Sequence, residues 1–276
     1  MYGFMRRLKR LCDLWGDLIV SIIQLLANTG PRPSADSSAA SLKAALPFSE
    51  AFGLNDQSPI IRGSGSAATV VNYYDVGPTN AITIQTAQSK FYGSSARKPI
   101  GANDNVYRES FVSVNSGAGT QAGTGDFCIE FWFYAESFTP PTGMDRLGIM
   151  FPLWRNNNAN TYGYIPRIDL YGGSTLRVLN AEETVTICST TSISPNTWHH
   201  VAVTRSGSTM RLFVGGVLRS SGSNSTNWTG YEYWFFDSTR WYQSGFYFQD
   251  LRIYTGDAKY TSNFAVPGPM FLGLAE

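Results

Sequence analysis

The sequence predicts a mostly-β protein, an antiparallel sandwich or barrel preceded by one N-terminal α-helix. Three observations carry this. Aromatic residues make up 14% of the 276 residues, charged residues only 15%, and there are 27 glycines. That composition suits short strands joined by tight turns rather than a helical bundle. From Leu46 onward, short apolar runs alternate with polar residues at a period of two, and Gly/Ser/Asn clusters separate them. Before that point the apolar spacing is helical instead.

In the N-terminal segment, Phe4, Leu8, Leu11, Trp15, Leu18, Ile22 and Leu25 are spaced alternately by four and three. This is the rhythm of a coiled-coil seam. Met5, Cys12, Ile19 and Leu26 repeat every seventh position beside it and widen the apolar stripe. A single short helix with such a stripe is marginal alone in water. Residues 1–28 are therefore expected to oligomerise, with a trimer favoured over a dimer, or to dock on another protein. Gly16 inside the helix costs about 1 kcal/mol relative to alanine. A secretory signal or membrane span fits less well. Asp13 and Asp17 interrupt the apolar stretch, and the uncharged run Leu18–Ala27 is about half the ~20 residues a span requires. Arg6, Arg7, Lys9 and Arg10 oppose the helix dipole. They read either as a solvated end or as a contact with an acidic surface. Residues 29–45, with Pro31, Pro33 and many Ser and Ala, read as an extended linker.

Residues 46–276 form the expected globular domain. Phe127–Tyr134 places Phe127, Ile129, Phe131 and Phe133 on one side of a strand. Cys128, Glu130, Trp132 and Tyr134 fall on the other. Further strands are expected at Ile165–Tyr171, Ser174–Leu179, Thr184–Ser189, Trp198–Arg205, Met210–Val214 and Phe246–Tyr254. Gly215-Gly216 marks a hairpin to Val217–Arg219. Many short strands without intervening helices mean antiparallel pairing. A net charge of +1 provides no field that would draw nucleic acid or an anionic membrane. Cys12, Cys128 and Cys188 are odd in number and widely spaced, which suggests neither a disulfide framework nor a zinc site.

The order of these segments resembles a known family. Thr124–Tyr134, Asn196–Arg205 with Met210–Leu218, and Asp250–Tyr254 followed by Ala258–Phe264 and Pro267 look like successive strands of laminin G-like, concanavalin A-like domains. Asp56–Pro59 and Thr86–Gly93 match the opening pieces. The resemblance runs from about Leu46 to Phe271 and implies a two-sheet jelly-roll sandwich. The wording of the motifs is similar to that of domains in tailed-bacteriophage virion proteins, cyanophage ones among them. It implies a virion location, assembly in the host cytoplasm, and a fibre, tail or capsid-surface role.

The family includes glucanases, so the resemblance allows glycoside hydrolysis, which requires a matching pair of carboxyls. Glycosidases need two carboxyls ~5–9.5 Å apart. The nearest pair on the matching strand, Asp126 and Glu130, is separated by about 13 Å of extended chain. His199 and His200, the only histidines, point to opposite faces of a strand. No phosphate-binding glycine loop is present. The chain is therefore expected not to be an enzyme and to need no cofactor. A calcium site on Asp56, Asp237 or Asp250 is what the resemblance allows, although Asp56 and Asp250 also suit turn capping. The strongest binding candidate is the aromatic stretch Trp228–Phe248. Trp228, Tyr231, Tyr233, Trp241 and Tyr242 could stack on sugar rings, with Asp237, Arg240 and Gln243 on hydroxyls. The same rings could instead fill a core or a trimer interface. The expected function is a non-enzymatic virion protein, attached by its helix and displaying a lectin-like sandwich, with host-surface glycan as a possible ligand. The alternatives are a stand-alone lectin module and a glycoside hydrolase.

Overall fold

The computed structural model describes residues 36–74, 81–98, 110–115, 121–138, 146–151, 165–180, 184–229, 232–235 and 245–270. The N-terminal heptads, Phe4 to Leu25, lie outside the described residues. Two antiparallel sheets face each other. The first has eight strands. Its order is β13 (Val217–Ser223), β12 (Thr209–Val214), β11 (His199–Ser206), β6 (Phe127–Ala135), β15 (Phe246–Thr255), β4 (Ser95–Lys98) and β3 (Thr83–Gln85). Strand β1 (Leu42–Leu46) pairs with the far half of β15, beyond the three residues that β4 occupies. The second sheet runs β10 (Thr186–Thr190), β9 (Thr175–Leu179), β8 (Arg167–Tyr171), β7 (Arg146–Phe151), β14 (Glu232–Phe235), β5 (Ser110–Asn115) and β2 (Thr69–Tyr74).

The alternation predicted for β6 is what builds the core. Phe127, Ile129, Phe131 and Phe133 point between the sheets, beside Val201 and Val203 of β11 and Phe246, Phe248, Leu251 and Ile253 of β15. Opposite them stand Val112, Val114, Leu147, Ile149, Ile168, Leu170, Leu176, Val178 and Phe235 of the second sheet. Burying side chains of this size contributes roughly 1.5–3 kcal/mol each. The Gly215-Gly216 hairpin is present, with φ of 60° and 75°. Two positive φ values in succession are what a type I′ turn requires.

The linker reading of residues 29–45 is corrected at its C-terminal end. Ala39–Ser41 form a short 3-10 turn, and Leu42–Leu46 form β1. Leu42, Ala44, Ala45 and Leu46 are all fully buried. The stretch before Leu46 carries few large apolar residues, so its sequence alone does not mark it as core. Its backbone pairs with β15, and the small side chains are what fit beneath the covering chain. The short helix α1 (Ser58–Arg62) packs beside this strand.

A bulge in β15 between Gln249 and Arg252 shifts the alternation by one residue. Asp250 sits in it at φ 51°, a region Asp tolerates better than most residues. The bulge keeps Leu251 and Ile253 in the core, while Gln249 and Arg252 both pair with outward residues of β6.

Candidate binding surface

The outward residues of β6 divide the outer face of the eight-stranded sheet into a covered half and an open half. Glu130 lies in the covered half, 1% exposed beneath the chain that follows β15. Lys259 Nζ donates to its Oε1 at 2.7 Å, Tyr260 donates to Oε2 at 2.9 Å, and His200 Nε2 lies 3.2 Å from Oε2. Arg252 stands 3.6 Å away. Burial alone would raise the pKa of Glu130, but Lys259, the His200 hydrogen bond and Arg252 together hold it well below the usual carboxylate range. Asp36 binds the same ammonium at 3.2 Å and accepts from Tyr254 at 2.6 Å. These carboxylates hold the C-terminal segment to the sheet. Asp126, the other half of the pair weighed for hydrolysis, accepts from the Gly207 N–H at 2.8 Å and caps a turn. His199 and His200 occupy opposite faces, paired with Phe133 and Trp132 respectively.

Beyond Glu130 the face opens. The register sets His199 against Phe133, so Trp198 comes beside Tyr134, and Tyr247 of β15 pairs with Tyr134 from the other side. The ring of Tyr134 lies 5.7 Å from Trp198 and 5.8 Å from Tyr247. Arg97 of β4 pairs with Tyr247, its guanidinium 5.4 Å from that ring. One row thus crosses four strands' worth of sheet: Trp198, Tyr134, Tyr247, Arg97. Its polar groups are already oriented. Tyr134 donates to Asn196 Oδ1 at 3.2 Å, Tyr247 donates to Glu136 at 3.0 Å, and Arg97 stands 3.6 Å from Glu136. Burial, followed by the Glu136 carboxylate, raises the Tyr247 pKa. Tyr247 is buried, whereas Trp198, Tyr134, Arg97 and Glu136 are partly exposed and Asn196 is open to solvent.

Trp132, the next outward residue of β6, is also partly exposed. Lys90 Nζ stands 4.4 Å from its ring centroid, and Phe91 meets it edge-on at 5.6 Å. Buried Gln249 positions that loop. Its Oε1 accepts from the N–H groups of Lys90 and Phe91 at 2.9 and 2.8 Å, and its amide donates to Ser94 O. Asp250 accepts from Tyr92 at 2.7 Å.

Of the residues expected to bind a sugar, the structure takes Trp228 out of reach of a ligand. Trp228 is fully buried in the main core, its backbone paired with Gly123 in both directions, so its indole offers no face to a ligand. Aromatic residues in strands alternate identically whether a ring points inward or outward, and here the inward choice holds. Tyr233 contributes backbone to β14, paired with Val114. Tyr231, Asp237, Arg240, Trp241, Tyr242 and Gln243 lie outside the described residues. Asp56, a calcium candidate, accepts from the N–H groups of Ala45, Ser58 and Ala68 and from the Ser58 hydroxyl, which occupies its oxygens as a cap. Among the described residues no group of three His, Cys, Asp or Glu could hold a metal. No helix among them is long and apolar enough to cross a membrane. Nothing in the sequence marks the row through Tyr134. Alternation had put Trp132 and Tyr134 opposite the Phe face, but nothing local showed which strands would flank them.

Residues 108–258, more than half of the chain, match the family described as the concanavalin A-like lectin/glucanases superfamily. Among solved structures, the binding domain of botulinum neurotoxin serotype D is similar at 15% identity and a TM-score of 0.55, covering 83% of this chain and 50% of that one. A structure of botulinum neurotoxin type C, whose cell entry is described as dependent on interaction with two ganglioside molecules, aligns at 16% identity and a TM-score of 0.56, covering 79% and 49%. The binding domain of Paraclostridial mosquitocidal protein 1 aligns at 16% and 0.53, covering 79% and 50%. This chain therefore spans about half the length of these solved domains, and the likeness is one of fold. Among curated proteins, none matches the chain.

Proposed function

The chain belongs to the concanavalin A-like lectin/glucanases superfamily, and from that premise we propose that it is a non-catalytic binding sandwich displayed on a bacteriophage particle. One observation carries the binding half of this reading. Where related glucanases carry acidic residues on a strand, Glu130 is 1% exposed and held among Lys259, His200 and Tyr260, whereas the next outward residues, Trp132 and Tyr134, remain partly open. A carboxylate bonded on both oxygens and shut away from water has no proton to exchange with a substrate. Partly exposed aromatic rings with oriented polar neighbours suit a ligand with apolar faces and hydroxyl edges, which describes a glycan. The ganglioside dependence described for the type C neurotoxin supports a glycan at the level of fold.

The particle half of the reading rests on the motif wording shared with phage virion proteins and on the heptad segment that precedes the sandwich. Its test is the position of this chain's density in a reconstructed virion; recovery only as free protein after particle purification would reject it. The binding half is tested on a glycan array and in a reducing-sugar assay on the same preparation. Array binding without sugar release is expected. Sugar release by the unaltered chain would make the protein a glycoside hydrolase instead.

A further inference from the structure

We infer that the open half of the eight-stranded sheet, centred on Tyr134, is the ligand site, and that its ligand is an acidic glycan. This rests on the glycan-binding reading above and names where and what it binds. The row from Trp198 to Arg97 crosses three inter-strand steps, roughly 14 Å at the usual strand spacing. That is the reach of a short oligosaccharide rather than of one ring. Trp198 and Tyr134 supply partly exposed aromatic surface at one end. Asn196, Glu136 and Arg97 line it with hydrogen-bonding groups. These groups are held by one another before a ligand arrives, so binding orders few side chains.

The charge argues for acid. Among the described residues bonded to this row, Glu136 supplies the carboxylate, and it is committed to Arg97 and Tyr247. Asp250 is 2% exposed and engaged by Tyr92 and Arg252. Lys90 is exposed, its ammonium held against Trp132 and Phe91, with no carboxylate within salt-bridge distance among the described residues. Lys90, Arg97 and Glu136 therefore leave the surface with a surplus positive charge on the Lys90 side. Its backbone amide, and that of Phe91, are fixed by buried Gln249, so the cation is presented from an anchored loop. A sugar carboxylate at Lys90, with its neighbouring rings across Tyr134 and Trp198, satisfies both halves of the surface.

The test is calorimetry of the full chain against sialylated and uronate-terminated oligosaccharides, each paired with its neutral parent. At least one acidic probe is expected to bind more tightly than its parent. Tyr134→Ala should weaken that probe about tenfold or more, while Tyr134→Phe, which keeps the ring, should weaken it much less. Lys90→Glu should abolish the preference for the acidic probe. Melting temperatures near that of the unaltered protein show that the variants fold. Acidic-probe binding untouched by Tyr134→Ala and Lys90→Glu would overturn this site and leave the glycan-binding reading standing. A preference for the neutral parents would overturn the acidic class. Binding of no probe by the unaltered chain would overturn both the site and the reading it rests on.

Discussion

Two buried carboxylates on the same sheet respond to pH in opposite directions. Glu130 is held well below its ordinary pKa, so its contribution to stability is present above the unfolded value near 4.5 and is lost as pH falls through its folded value. Asp250 is raised from 3.8 to about 6, chiefly by burial. Between those values the folded state binds more protons than the unfolded chain, so stability falls as pH rises through that window, by roughly 3 kcal/mol in all. Urea midpoints measured from pH 4 to 6.5 are expected to lose that downward component in Asp250→Asn, a substitution that also tolerates the positive φ. An unchanged slope would mean that Asp250 is not its source. Glu130→Gln leaves Lys259 and Arg252 with less than their full complement of negative charge in a buried site, and a loss of about 3–5 kcal/mol in urea unfolding at pH 7 is expected. The sequence places Glu130 on the face opposite the phenylalanines and about 13 Å from Asp126, too far for hydrolysis. Its partners, Lys259 and Tyr260, come from a segment 129 and 130 residues further along, and no local pattern links them.

At the scale of elements, β13 passes β10 where the two sheets close on each other. A Cβ at Gly222 would stand 2.2 Å from the carbonyl oxygen of Ile187, a backbone atom that cannot swing aside. Gly222→Ala should therefore cost about 1–3 kcal/mol and lower the melting temperature, while binding at the Tyr134 surface is unchanged. Strand β1 offers a second check. A chain beginning at residue 47 loses Leu42 and Leu46 from buried positions and uncovers the edge of β15. Its urea unfolding free energy should fall by at least ~3 kcal/mol relative to a chain beginning at residue 36. Equal stabilities would show that β1 is dispensable. Strands β6, β8 to β13 and β15 were legible to within a few residues because a two-residue period is a local property. β1 to β5, β7 and β14 were not assigned from the sequence; in β1, Lys43 and the alanines carry little hydrophobic signal, and the burial of the alanines comes from what lies over them.

For the whole molecule, the proposed assembly through residues 1–28 is separable from the sandwich. The full chain should sediment as an oligomer, with a trimer expected from the breadth of the apolar stripe, and a chain beginning at residue 36 as a monomer. The same mass for both would remove self-association and leave docking to another protein. The broad neutrality of the chain, +1 overall, implies that any salt dependence of ligand binding is local to the Lys90–Arg97 surface.

The antiparallel β-rich class, the Phe face of β6 and the glycine hairpin are legible in the chain's own patterns, and motif order points to the family. All of these are written in short-range patterns of two to ten residues. Three outcomes emerge only from the folded chain: Trp228 belongs to the core, Glu130 is closed off by Lys259 and Tyr260, and Trp198, Tyr134, Tyr247 and Arg97 share one row. Those outcomes depend on cross-strand register and on where a distant covering segment lands. Both are set by non-local pairing, which a periodicity along the chain does not encode.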